Sequence, residues 1–248
     1  LEGNVIDAGS TNAEGLMAGV YAALSGNLTI SANRIYGGSP EVGGGVQTAG
    51  VWVLGALSGG KPPNLTVTNS MIHGGNATKM SVSSATAVRV LDGSATITHS
   101  TLFSGGLPTA NPEAFETTVV FHAGDEPGEL IIERNYLLTP LAPSGVARAF
   151  YLEHCADQFS GGSNLFVNGA TILEFSPGNM SCYKGKTPPI LDTAVASALI
   201  SLECEIMPPG PNCKTPEWGL LAKTCTKPGP NCIVFECDIT GNPTHCAN

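Results

Sequence analysis

Short segments in which apolar and polar residues alternate recur along the first two thirds of the chain. Four of them are LTIS, LTVT, ATIT and LIIE, at residues 28–31, 65–68, 95–98 and 130–133. Alternation with a period of two is typical of a β-strand with one buried face. A second set of such segments precedes them, at residues 19–22, 50–53, 87–90, 118–121 and 149–152. The pattern predicts two or three short strands in each repeated step, without a helix between them.

A polar residue, a short apolar segment and a glycine pair close each step. The clearest copies are NRIYGG at residues 33–38, SMIHGG at 70–75 and STLFSGG at 100–106. The polar residue recurs as Asn4, Asn33, Ser70, Ser100, Asn135 and Ser163, in steps of 29, 37, 30, 35 and 28 residues. Amides and hydroxyls at such a corner can hydrogen-bond to the backbone or to one another, and Asn tolerates a left-handed turn. The glycine pair permits a sharp exit from the corner.

Repeats of this length, made of short strands, predict a solenoid of parallel strands in about six coils of 28–37 residues. Successive coils would stack about 4.8 Å apart, which is the spacing of hydrogen-bonded strands. Apolar side chains one step apart would then form continuous columns inside the tube. The predicted columns are Val20, Val51, Val88, Val119 and Phe150; Ala22, Val53, Val90, Phe121 and Leu152; Leu28, Leu65, Ala95 and Leu130; and Ile6, Ile35, Ile72, Leu102, Leu137 and Leu165.

The Asn-x-Ile-x-Gly-Gly corners and the columns over roughly residues 1–200 resemble right-handed parallel β-helix repeat proteins. The chain is most similar to the secreted or surface β-helix proteins of myxobacteria and related bacteria. The segment NLFVNGA at 164–170, followed by ILDTAV at 190–195, also fits that group. The resemblance implies an all-β, right-handed parallel β-helix at an extracellular or cell-surface location. The usual hand of parallel crossovers agrees with it.

Composition narrows the classes of partner. Only 12% of the residues are charged, while the chain contains 31 Gly and 18 Pro, as expected for a turn-rich β protein. A net charge of -9 argues against nucleic acid as a partner. No apolar run of transmembrane length and no signal peptide is visible. Because Asn4 already lies at a predicted corner, we expect upstream coils or another chain to cover that end.

Cysteine usage marks a second region. All eight cysteines lie in the last part of the chain: Cys155, Cys182, Cys204, Cys213, Cys225, Cys232, Cys237 and Cys246. Their even number predicts disulfides formed in an oxidising compartment, with a pairing that the sequence leaves open. Their spacing does not match a compact zinc site, so we expect neither a metal nor a cofactor. We therefore divide the chain into a parallel β-helix at 1–200 and a loop-dominated, Cys-rich cap or tail at 201–248.

One pair of residues is a candidate for acid/base chemistry. The alignment places His122 and Glu153 in one column, about one strand spacing apart. Hydrolysis of a polysaccharide would need two carboxylates at a suitable separation, and a lyase would need a basic residue beside a bound cation. No lyase or polygalacturonase motif is visible. We therefore expect His122 and Glu153 to lie at a solvated strand end, where a histidine meets a carboxylate by chance. A protein without catalytic activity is the favoured interpretation over an enzyme.

An outward column is the other candidate site. The alignment gives it as Tyr21, Trp52, Arg89, Val120 and Tyr151. Stacked aromatic rings with an arginine could form a protein interface or a platform for a sugar. A loop or the Cys-rich tail could instead fold over them, and the sequence leaves these three alternatives open.

These observations support three hypotheses about function. The first is an extracellular structural β-solenoid, a cell-surface or filament subunit that assembles head to tail because an uncapped coil exposes unpaired strand edges. The second is a polysaccharide-active enzyme, a lyase or hydrolase, that uses the His122 and Glu153 region. The third is a carbohydrate-binding adhesin that uses the outward column. Self-association or upstream coils are the expected partners, with a glycan as an alternative and without a membrane span.

Overall fold

The computed structural model describes residues 1–11, 15–24, 26–40, 46–55, 63–75, 82–105, 116–124, 128–139, 146–152, 158–162, 164–167 and 171–175. Every regular element within these ranges is a β-strand, which confirms the predicted all-β class. The same ranges contain no helix long and apolar enough to cross a membrane. The predicted Cys-rich region at 201–248, all eight cysteines, Glu153 and Ser163 lie outside the described residues.

Three parallel sheets and a two-stranded ladder form the fold. The long-strand sheet contains β3 (Leu16–Leu24), β7 (Val46–Gly55), β10 (Val82–Leu91), β13 (Glu116–Ala123), β16 (Val146–Leu152) and β19 (Thr171–Phe175). The middle sheet contains β4 (Asn27–Ser31), β8 (Asn64–Thr68), β11 (Ser94–Thr98), β14 (Glu129–Glu133) and β17 (Gln158–Gly162). The short-strand sheet contains β1 (Val5–Asp7), β5 (Arg34–Tyr36), β9 (Met71–His73), β12 (Thr101–Phe103), β15 (Tyr136–Leu138) and β18 (Leu165–Val167). Strands β2 (Ser10–Thr11) and β6 (Ser39–Pro40) pair separately.

Each strand pairs in parallel with its counterpart in the next coil, as the repeat predicted. Ile35, for example, is in register with Ile6 on one side and Ile72 on the other. One apolar cluster runs through the coils and includes Ile35, Ile72, Leu102 and Leu137 from the short strands, with Val51 and Val88 from the long ones. The chain is therefore a β-solenoid of stacked coils around a continuous core.

The long strands bend, and the bend makes one predicted register wrong. Val88 pairs with Val120 and not with Val119, so Arg89 pairs with Phe121 and Val90 with His122. Val119 and Val120 are both fully buried in the same core cluster. A flat strand cannot place consecutive residues on one face, so β13 must bend between them. The run TTVVF at 117–121 hides this bend, because its apolar residues fit either register.

A second predicted register, at β18, is also off by one residue. Leu137 pairs with Phe166, whereas the prediction placed Leu165 in that column. The corner position is correspondingly filled by Asn164 and not by Ser163, because Asn164 Oδ1 accepts the backbone N–H of Asn135. The sequence offers two adjacent polar residues here, and only the hydrogen-bonding geometry distinguishes them.

The corner residues form a hydrogen-bonded row, buried except at its exposed first member Asn4, which we call the corner ladder: Asn4, Asn33, Ser70, Ser100, Asn135 and Asn164. The backbone N–H of each donates to the side-chain oxygen of the next, over 2.9 Å (Asn4 to Asn33), 3.1 Å (Asn33 to Ser70), 3.2 Å (Ser70 to Ser100), 2.9 Å (Ser100 to Asn135) and 3.0 Å (Asn135 to Asn164). The same side chains also donate within their own coil. Ser70 Oγ donates to Thr68 O and Ser100 Oγ to Thr98 O, both over 2.9 Å. The ladder thus links each coil to the next and tightens each corner.

The residue before each of the first five ladder positions, and not the ladder residue itself, takes the left-handed conformation. The residues with positive φ at this position are Gly3 (65°), Ala32 (53°), Asn69 (47°), His99 (49°) and Arg134 (56°). This corrects the expectation that the left-handed turn is the reason for Asn at the corner. The corner position requires a side chain that both accepts and donates hydrogen bonds, whereas the strained backbone lies one position earlier.

Ser100→Ala tests the corner ladder. It should lower the free energy of unfolding by about 1–3 kcal/mol, because the buried Ser70 N–H and the Thr98 carbonyl both lose their partner. Ser100→Asn should be much closer to wild type, because Asn already fills this position in four other coils. Urea unfolding followed by circular dichroism measures both variants. An alanine variant as stable as wild type would contradict the ladder's contribution.

Ala32→Gly tests the strained position. It should raise the free energy of unfolding by about 0.5–1 kcal/mol, because glycine adopts positive φ without the clash of a Cβ atom. Ser31→Gly, one residue earlier within β4, is the matched control and should lower stability. Equal losses in both variants would show that backbone strain at Ala32 is negligible.

Candidate functional site

The outward row of the long-strand sheet is a continuous stack. In register from β3 to β16 it contains Tyr21, Trp52, Arg89, Phe121 and Tyr151. Phe121 replaces the predicted Val120, which is buried in the core. The Arg89 guanidinium carbon lies 4.4 Å from the centroid of the Trp52 ring and 4.1 Å from that of Phe121. The Phe121 and Tyr151 rings stack with centroids 4.8 Å apart and planes 13° from parallel.

This stack changes what the row can bind. Rings separated by one strand spacing and nearly parallel face one another along the solenoid axis, so Phe121 and Tyr151 use a ring face on each other and turn their edges outward. Tyr21, with 54% of its surface exposed, is the most accessible member of the row. The predicted sugar platform, which requires open ring faces, is therefore poorly matched by the middle of the row.

A polar groove lies beside the stack, and we call it the outer groove. It encloses about 370 Å³ and is lined by Gln47, Ser84, Thr86, Arg89, Glu116, Thr118, Phe121 and Arg148. Four successive strands of one sheet, β7, β10, β13 and β16, supply these residues. Hydroxyl, amide, carboxylate and guanidinium groups therefore face one cavity that runs across several coils.

Two arginines dominate the charge of the outer groove. Arg89 donates from Nη1 to Gln47 Oε1 over 3.4 Å. Arg148 donates from Nη1 to Glu116 Oε2 over 3.2 Å, and its guanidinium lies 5.1 Å from the centroid of the Tyr151 ring. Glu116 is the single carboxylate among the lining residues. The groove thus has an excess of positive charge in a chain whose net charge is -9.

The bend in the long strands creates the outer groove. Ala87 and Val88 both belong to the core cluster, so β10 bends there as β13 does. Upstream of the bend the outward positions are Ser84 and Thr86, whereas downstream the outward position is Arg89. The aligned segments at 50–53, 87–90, 118–121 and 149–152 begin at or just after the groove positions, so the repeat pattern did not point to Gln47, Ser84, Thr86, Glu116, Thr118 and Arg148. The polar–apolar–polar alternation of SAT at 84–86 is the signal that would have extended one of them, whereas ETT at 116–118 is polar throughout and gives none.

His122 is not placed as the acid/base hypothesis requires. It pairs in register with Leu152, so the predicted column shared with Glu153 is wrong. The side chain is only 2% exposed, and its Nε2 lies 2.7 Å from the carbonyl oxygen of Gly93. The described part of the chain also contains no cluster of three or more His, Cys, Asp or Glu side chains suited to a metal ion. Within these residues, His122 is a structural side chain inside the solenoid.

A second histidine is buried on the short-strand sheet. His73 lies edge-on between the rings of Tyr36 and Phe103, with centroids 4.9 Å and 4.6 Å away. Its Nδ1 accepts the backbone N–H of Gly75 over 2.9 Å, which requires an unprotonated Nδ1. Burial lowers the pKa of His73 from 6.5 to about 3, and burial likewise lowers the pKa of the neighbouring-strand residue Arg34 to about 10. The neutral imidazole thus acts as a packing group and a hydrogen-bond acceptor.

Comparison with protein-family models, with curated proteins and with solved structures gave no match for this chain. Its function must therefore be argued from the geometry and charge of the outer groove.

His73 predicts a dependence of stability on pH. The folded state keeps the imidazole neutral down to pH about 3, whereas an unfolded chain protonates it below about 6.5. The contribution of His73 to the free energy of unfolding is therefore complete above pH 6.5. It is lost as the pH falls, and the free energy of unfolding then decreases by up to about 1.4 kcal/mol per pH unit. Unfolding of wild type and His73→Gln from pH 7 to 4 measures the difference between their slopes. A slope in His73→Gln equal to that of wild type would contradict the prediction.

Proposed function

We propose that this protein is an extracellular β-solenoid that binds a carbohydrate chain in the outer groove. The observation that carries the proposal is the row of polar and charged side chains presented by four successive long strands to one cavity. Hydroxyl, amide and guanidinium groups together supply the donors and acceptors that the hydroxyl-rich surface of a sugar requires.

The dimensions of the groove favour a sugar over a folded protein. Its volume of about 370 Å³ lies at the lower end of the range of small-molecule pockets. A stable protein partner would bury about 800 Å² on each side, which calls for a broad and flatter surface. Coils about 4.8 Å apart repeat with nearly the rise of one pyranose unit in an extended glycan, so successive coils can meet successive sugars.

The location and origin are part of the proposal. Eight cysteines favour an oxidising compartment, and the corner motifs resemble those of secreted or surface β-helix proteins of myxobacteria and related bacteria. That resemblance and the usual hand of parallel crossovers favour a right-handed solenoid. A surface protein in this group would meet polysaccharide outside the cell.

The other two hypotheses receive less support. Hydrolysis of a glycan commonly needs two carboxylates, and Glu116 is the single carboxylate among the described lining residues. Filament formation through the first coil stays a prediction, because upstream coils of the same protein would cover the same strand edges equally well. Binding without bond cleavage therefore fits the groove best.

Ser84→Tyr tests the proposal by filling the groove. Ser84 lies at the middle of the lining, between Gln47 and Glu116 in the sheet register. Tyrosine suits a β-strand, so the fold should persist while the cavity is blocked. On a glycan array followed by calorimetry, we expect wild type to bind and Ser84→Tyr to lose at least about tenfold in affinity, or about 1.4 kcal/mol.

Thr66→Tyr is the matched control, since Thr66 is a partly exposed strand residue of the middle sheet, away from the groove. It should bind as wild type does. Absence of binding by wild type to every glycan on the array would refute carbohydrate binding. Wild-type affinity in Ser84→Tyr would show that the binding site lies elsewhere on the solenoid.

A further inference from the structure

The ion pair between Arg148 and Glu116 is markedly unequal in its surroundings. The side chain of Arg148 is 6% exposed, whereas that of Glu116 is 54% exposed. Tyr151 lies under the guanidinium, with the ring centroid 5.1 Å away. The cation is therefore fixed by packing, while most of the carboxylate remains in water.

An incoming anion can take the place of such a carboxylate. More than half of the Glu116 side chain is already in contact with water, and the incoming anion would replace its carboxylate as the partner of the buried guanidinium, so the exchange leaves no buried charge uncompensated. A guanidinium in a cavity offers two parallel donors, which match a carboxylate or a sulfate. Glu116 thus occupies the position that the anionic group of a ligand would fill.

Arg89 supplies a second fixed cation in the same cavity. Its guanidinium is held between the rings of Trp52 and Phe121. Arg89 is on β10 and Arg148 is on β16, with β13 between them. Their backbones are therefore two coil spacings apart along the solenoid axis, or about 10 Å, and three residues apart across the sheet, because Arg148 is in register with Thr86.

We propose that the outer groove selects acidic glycans, in which a carboxylate or sulfate displaces Glu116 from Arg148 while a second anionic group farther along the glycan meets Arg89. This inference rests on the proposed carbohydrate binding and adds the class of sugar. A uronate and a sulfated sugar share the anionic chemistry that the two guanidinium groups recognise.

The experiment compares hexamers of galacturonic acid, of sulfated galactose and of neutral galactose by calorimetry at low salt. We expect the wild type to bind at least one acidic hexamer about tenfold more tightly than the neutral one, with the preference declining as salt is raised. Glu116→Gln removes the competing carboxylate and should increase the ratio of acidic to neutral affinity several-fold. Glu129→Gln, which removes an exposed carboxylate from the middle sheet, is the control and should leave the ratio unchanged.

The outcomes separate this inference from the proposed function. Equal affinity for the hexamers, absence of binding by both acidic ones, or an unchanged ratio in Glu116→Gln would overturn the acidic preference. Binding to other glycans on the array would still leave the proposed function standing. Absence of binding to every glycan on the array would refute both the acidic preference and the proposed carbohydrate binding. A polyglutamate peptide that binds as tightly as the acidic hexamers would reassign the groove to acidic peptides.

Discussion

The hydrogen bond from the backbone of one corner to the side chain of the next is the constraint on which this solenoid depends. Parallel strands alone do not fix their register, because a shift by one residue keeps the backbone pairing but moves every side chain to the other face. The corner ladder removes that freedom, since only a side chain that both accepts and donates, as at Asn33 and Ser70, satisfies two buried backbone groups. The strained backbone at Ala32, Asn69, His99 and Arg134, each directly before a ladder position, is the cost of this sharp corner.

Fixing the corners has a consequence at the long strands. Each coil must close around one core, and it does so by a bend that turns two adjacent residues inward, as with Val119 and Val120. The residues before the bend then face outward at an angle to those after it. That angle creates the outer groove, so the same constraint that stacks the coils also aligns one polar position from each of them along a common cavity.

The limits of the sequence analysis follow from this geometry. Columns such as Ile35, Ile72 and Leu102 could be predicted because their strands are short, flat and cleanly alternating. The prediction was wrong where two neighbouring residues were chemically interchangeable, as with Val119 and Val120. The groove was not predicted because the bend interrupts the period of two. Outward positions before the bend follow the alternation of the first half of the strand, and those after it follow the alternation of the second half. A hydropathy pattern reports which face is buried, but not where a strand turns.

The energetics of Arg148 give the strongest reason to regard the groove as more than a surface feature. Taking a guanidinium out of water costs several kcal/mol, and an apolar side chain of similar size commonly fills such a site at lower cost. The half-exposed carboxylate of Glu116 and the ring of Tyr151 each return part of that cost. Packing alone would therefore favour a leucine or methionine at this position. A guanidinium packed against Tyr151 and lining a polar cavity fits the proposed anionic ligand, which would bind a cation whose desolvation is already complete when the protein has folded.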